Sequence, residues 1–144
     1  YLLQKFFLNT GSSFVDLNSP CGGAISTLAY DHEGNIFTCD EGRQYDLFKL
    51  GTVDMVYSEL FETNECQSFI KASVNDCLMC DKCVWKPFCG VCPVCNYADS
   101  GNLIPCLSKN ERCQILKGQF EFLMDKIIED KNNEIFLGWI KKNE

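Results

Sequence analysis

One histidine, His32, is all that this sequence offers. A Cys2His2 zinc finger is therefore excluded, and a single imidazole in a turn segment reads as a solvated turn residue. Positive charge is also scarce: 13 Lys and Arg stand against 20 Asp and Glu, for a formal net charge of −7. Duplex nucleic acid demands a basic footprint, so no nucleic-acid partner is expected. No apolar run reaches the 18 or so residues a bilayer-spanning helix needs, so no membrane partner is expected either. Internal repeats and low-complexity tracts are missing. So are the basic n-region, long apolar run and small-residue cleavage site of a signal peptide. Tyr1-Leu2-Leu3-Gln4-Lys5-Phe6-Phe7 reads instead as the end of an amphipathic helix. The chain is expected to be a piece of a longer protein.

What is there is an ordinary apolar content, 46% over 144 residues, and eleven cysteines. That length supports one modest domain with a limited core. Disulfides, zinc and iron–sulfur clusters compete to explain the thiols. An odd count leaves one thiol over in a pure disulfide framework, and a chain of this size does not need staples to fold. Six cysteines fall between Cys77 and Cys95 at gaps of two or five residues. Such close neighbours pair poorly with one another but converge readily on a metal centre.

The pattern predicts an α+β fold: a small cysteine-rich domain with a β-hairpin, a cluster-binding loop and C-terminal helices. Ala24–Tyr30 and Asn35–Thr38 read as hairpin strands around Asp31-His32-Glu33-Gly34, with Gly34 suited to positive φ. Cys21 and Cys39 sit at the outer ends, so the hairpin should bring them together. Phe48–Val53 reads as another short extended piece, and residues 55–73 have helical spacing. Residues 75–105 show no sustained period and should depend on a metal centre for order. Leu116, Phe120, Leu123 and Ile127 form one apolar stripe of a helix over 111–130. Glu134–Lys142 reads as a last short helix. The stripes are core-packing faces.

The informative string is Cys80-x2-Cys83-x5-Cys89-x2-Cys92-Pro93. A zinc ribbon separates its two Cys-x2-Cys pairs by roughly 15–20 residues, far more than the five here. Cys77-x2-Cys80-x2-Cys83 has ferredoxin-like spacing but does not continue x3-Cys-Pro.

These spacings resemble the SPASM family, the auxiliary-cluster extension of radical S-adenosylmethionine (SAM) enzymes. Its motif runs Cys-x9–15-Gly-x4-Cys, then Cys-x2-Cys-x5-Cys-x3-Cys, then a last Cys. Cys21-x12-Gly34-x4-Cys39 fits the first part and Cys80-x2-Cys83-x5-Cys89 the second, with Trp85 between. The x3 step is shortened to x2 at Cys92, and Cys113 suits the final position. Leu50-Gly51-Thr52-Val53 resembles a stretch between the family's two halves. A finer resemblance, to radical SAM maturases of the His-Xaa-Ser peptide-modification system, rests on Cys21-Gly22-Gly23, Leu28-Ala29-Tyr30, Cys39-Asp40-Glu41-Gly42-Arg43 and Lys86-Pro87-Phe88-Cys89-Gly90-Val91-Cys92-Pro93-Val94.

The resemblance implies three parts: residues 1–18 as the tail of a preceding radical SAM barrel, 19–125 as the auxiliary-cluster domain and 126–144 as a helical extension. It implies two 4Fe–4S clusters. One takes Cys21, Cys39 and Cys92; the other takes Cys80, Cys83, Cys89 and Cys113. Cys95, Cys77 and Cys66 are candidates for the first cluster's fourth ligand, and an open iron is the alternative. Crowding in Cys89-x2-Cys92-x2-Cys95 favours the open iron over Cys95. Asp40 matches the aspartate that accepts a proton during substrate oxidation in sulfatase-maturating relatives; a turn aspartate is the plainer reading. The implied protein is a cytoplasmic oxidoreductase that post-translationally modifies a ribosomally made peptide. It works with its own radical SAM core domain, with or without a partner maturase. That core would bind S-adenosylmethionine and a third cluster through Cys-x3-Cys-x2-Cys, a string these 144 residues lack. The chain alone is therefore expected to be inactive. A zinc-binding interaction module without redox role and a secreted disulfide domain are the rival readings.

Overall fold

The hairpin forms around Asp31. Its Oδ1 accepts the N–H groups of Glu33 and Asn35, both at 2.9 Å, and its Oδ2 accepts from Asn35 Nδ2 at 2.7 Å. Gly34 closes the turn at φ +82°, the left-handed region that glycine enters without strain. The computed structural model describes residues 2–8, 15, 18–73, 78–104, 110–130 and 134–141.

The sheet is antiparallel with order β1-β2-β3: β1 Ala29–Tyr30, β2 Asn35–Phe37 and β3 Lys49–Thr52. Ala29 pairs with Phe37 and Tyr30 with Ile36; Ile36 also faces Gly51 across an irregular step to Phe37. β3 thus falls inside the extended piece expected over Phe48–Val53, with Phe48 closing a 3-10 turn before it. The first strand is shorter than the Ala24–Tyr30 expected. Residues 24–26 form a turn instead, in which the Ser26 N–H and hydroxyl both donate to the Gly22 carbonyl and Ala24 takes φ +61°. Cys21 and Cys39 still lie in one buried cluster, and beside them the Ala24 N–H donates to the Thr38 carbonyl at 2.7 Å.

The expected helix over 55–73 is two helices, α2 Tyr57–Leu60 and α3 Asn64–Ser73, after α1 Leu2–Leu8 at the start of the chain. Thr63 divides them: its hydroxyl donates to the Leu60 carbonyl and accepts from the Cys66 N–H, ending one helix and starting the next. The cysteine-rich stretch is also more regular than expected. It holds α4 Leu78–Asp81 and α5 Pro93–Ser100. In α5, Cys92 is the N-cap, Pro93 occupies the first turn and Gly101 ends the helix at φ +71°, a start and stop that period analysis does not register. The chain closes with α6 Glu111–Glu129 and α7 Glu134–Lys141. α6 runs without a break through residue 125, and Leu116, Phe120, Leu123 and Ile127 all turn at least partly inward, as their spacing predicts.

The core sits where sheet, α3 and α5 meet. Phe48, Phe69 and Leu60 are almost wholly buried there. The Phe48 ring meets Phe69 and Tyr97 edge-on at 5.8 and 5.6 Å, and Tyr45 meets Tyr97 at 5.3 Å. Such pairs each add about 0.5–1.5 kcal/mol beyond burial. A second aromatic group joins the chain's ends: Phe6 of α1 contacts Phe88 at 4.6 Å, and Trp85 lies 5.4 Å from Phe120 of α6. Lys5, itself buried, donates from Nζ to the Phe88 carbonyl at 3.1 Å. No described helix is long and apolar enough to cross a membrane.

Candidate metal centres

All nine described cysteines are free thiols, and they fall into two groups. Cys80, Cys83, Cys89 and Cys113 line one cavity of about 130 Å³. Three segments supply them: the end of α4 and the turn after it, the loop before α5, and the first turn of α6. Backbone turns set the loop. The Cys83 N–H donates to the Cys80 carbonyl at 3.0 Å, and the Cys89 N–H to the Trp85 carbonyl at 2.9 Å. Asn110 caps α6 by accepting from the Cys113 N–H at 2.7 Å, which fixes the fourth thiol. Trp85 and Phe120 wall the cavity, and Arg112 and Lys86 bring positive charge to it.

The second group lies in the apolar core. Cys21, Cys39, Cys66 and Cys92 are all buried in one cluster, with Cys95 packed against it. Thr38 Oγ1 lies 3.9 Å from Cys39 Sγ. Gly42 approaches so closely that a Cβ would stand 2.7 Å from Thr38 Oγ1 and 3.6 Å from Cys39 Sγ. Cys21 also borders a wider cavity of about 400 Å³ that reaches Lys5, Ser19 and Phe88. Cys77 lies outside the described residues.

Burial and neighbouring charge set the thiol acidities. Burial pushes Cys39 up to about 11, against weaker hydrogen bonds from Gly42 N–H and Thr38. Burial raises Cys66, and it raises Cys89 with help from Cys113 and Cys83 close by. Cys92 goes the other way: its sulfur accepts from the Cys95 thiol and N–H and feels the Arg112 charge, which favours thiolate. Cys95, as donor of that pair, is raised.

Asp40 stands on the surface beside buried Cys39, its side chain 80% exposed, with Oδ1 3.2 Å from Arg43 Nη2. Arg112 was not legible as a site residue in the sequence. Its only signal there is adjacency to Cys113. The structure sets it between the groups: it lines the four-thiol cavity, and its Nη1 lies 3.6 Å from Cys95 Sγ.

The donor set suits a multi-iron group. Among the described residues, no three Cys, His, Asp or Glu side chains converge on a point fit for one metal ion. Four thiols around a cavity match a cluster that takes one thiolate per iron.

Fold and site define a thiol-rich α+β domain with two cysteine groups. No protein-family model matches the chain. It is, however, homologous to cysteine-type anaerobic sulfatase-maturating enzymes. That of Clostridium perfringens is 32% identical over 134 residues, covering 92% of this chain and 34% of the enzyme. That of Clostridium novyi is 29% identical over 98 residues, covering 67% and 25%. The chain thus spans about a third of the length of the curated relatives it matches. Among solved structures, native anSMEcpe with bound AdoMet superposes with a TM-score of 0.65 at 31% identity, over 92% of this chain and 34% of that one. The form with bound AdoMet and Cp18Cys peptide gives 0.64 at 30%, over 92% and 35%.

Proposed function

We propose that this chain is the auxiliary-cluster part of a radical SAM enzyme that modifies a peptide. One observation carries the reading: four cysteines from three segments, picked out by the motif spacing, ring a single cavity. Cys80, Cys83, Cys89 and Cys113 hold one 4Fe–4S cluster; Cys21, Cys39 and Cys92 hold most of another. Bound there, the clusters supply an electron acceptor for substrate oxidation, or a rigid anchor that positions the peptide.

The chain's own residues prepare that chemistry. Trp85 and Phe120 wall one face of the cavity, and cluster potential depends on burial as well as on hydrogen bonds to sulfur. Arg112 and Lys86 offset the charge of four thiolates. Asp40 is the candidate proton acceptor, an accessible carboxylate next to a cluster ligand. A peptide is the substrate class, supported by the solved anSMEcpe structures that hold the Kp18Cys and Cp18Cys peptides; that it is ribosomally made is what the family resemblance implies. The His-Xaa-Ser system is a finer reading that rests on the shared sequence words alone; the homologues named above are sulfatase maturases. S-adenosylmethionine and a third cluster belong to the core domain that this reading requires.

Anaerobic reconstitution tests the proposal. The expected product is brown, with about eight irons and eight sulfides per chain. A colourless protein with stoichiometric zinc under iron-replete anaerobic conditions would overturn it and favour an interaction module.

A further inference from the structure

We infer that Cys95 supplies the fourth thiolate of the centre built on Cys21, Cys39 and Cys92, and that Arg112 supports its sulfur. The inference rests on the cluster reading above. It favours Cys95 over Cys66 and an open iron; Cys77, the remaining candidate, lies outside the described residues.

The first turn of α5 carries the argument. Cys92 is its N-cap, and Cys95 lies three residues on. The Cys95 N–H donates to Cys92 Sγ at 3.5 Å, so both thiols stand at the same helix end. The chain uses this spacing elsewhere for the same purpose: Cys80-x2-Cys83 delivers two thiols to the four-cysteine cavity. Cys66 is buried in the same apolar cluster as Cys21, Cys39 and Cys92, but it stands by itself on α3, with no second cysteine three positions away to form such a pair.

Crowding, the sequence-based objection to Cys95, is relieved by the fold. Gly90 and Val91 separate Cys89, which lines the four-thiol cavity, from Cys92, which lies in the core. The loop therefore sends its thiols to two different places. Arg112 Nη1, 3.6 Å from Cys95 Sγ, adds a charge-assisted hydrogen bond of the kind that orients a metal-bound thiolate. On ligation Cys95 gives its thiol proton to solvent and binds iron as thiolate; iron and sulfide come from the medium.

The test is iron and sulfide content with electron paramagnetic resonance (EPR), after anaerobic reconstitution of the chain and its Cys95→Ala, Cys95→Ser and Cys66→Ser variants. Cys95→Ala is expected to lose about half the iron, or to show the oxidised three-iron signal of a cluster missing one iron. Cys66→Ser is expected to match the wild type. If Cys95→Ala loses all iron through misfolding, Cys95→Ser decides, since its oxygen can still ligate: a shifted EPR signal supports the assignment. Wild-type iron and an unchanged spectrum in Cys95→Ser would overturn it, as would loss of a cluster from Cys66→Ser. A wild-type chain that takes up no iron and sulfide overturns the cluster reading itself, and this inference with it.

Discussion

Arg112 reaches from α6 to Cys95 on α5, with Nη1 3.6 Å from Sγ, while its side chain also lines the cavity of Cys80, Cys83, Cys89 and Cys113. One cation thus serves both cysteine groups. A positive charge favours the reduced cluster, which carries one more negative charge than the oxidised form. Arg112→Gln is expected to lower a cluster reduction potential by on the order of 50–100 mV, the size of a Coulomb interaction over several ångströms at an effective dielectric near 20. Arg112→Lys should restore most of it. An EPR-monitored redox titration reads both, and equal potentials in all three proteins would remove Arg112 from the electrostatics.

Cys83 lies between Cys80 and Cys89 in a loop that Trp85 and Phe88 tie to α1 and α6. Cluster binding there is folding energy. Cys83→Ala is expected to lose about four irons per chain and to expose residues 80–92 to protease. Full iron content in this variant would break the four-thiol assignment.

The absent Cys-x3-Cys-x2-Cys string predicts that this chain alone forms no 5′-deoxyadenosine from S-adenosylmethionine. Chromatography against a reductant-only control checks it. Product above that control would mean that another arrangement of thiols here binds the cofactor.

Phe48 joins the sheet to α3 and α5 through its contacts with Phe69 and Tyr97. Phe48→Ala is expected to destabilise the fold by about 3–5 kcal/mol. Urea denaturation of the metal-free chain measures it, and a loss under about 1 kcal/mol would contradict the packing described.

Asp31 carries a pH dependence of definite sign. Hydrogen bonds from the Asn35 side chain first, and from the Asn35 and Glu33 N–H groups, hold its carboxyl below the ordinary value of 3.8. A depressed pKa means the stabilisation is present above 3.8 and is lost as pH falls through the folded value. The turn should therefore weaken on acidification below about pH 4. Asp31→Asn should flatten that part of the stability profile, and identical profiles would rule the turn out as its source.

The sequence alone determined the thiol-rich α+β class, the turn at Gly34 and the inward stripe of α6, whereas the grouping of Cys80, Cys83, Cys89 and Cys113 came from the family resemblance. Each depends on short-range regularities: fixed spacing, helical period, or a glycine where the backbone needs positive φ. Tertiary structure decided the rest. α5 was hidden because Cys92 and Gly101, which start and stop it, carry no period. Residues 24–26 turned away from the strand because a backbone hydrogen bond to Thr38 and the turn at Gly22 outweighed their β-propensity. Arg112 stayed invisible for the same kind of reason. Its role comes from where α6 packs against α5, and a contact between residues 17 positions apart is made by folding, not by local pattern.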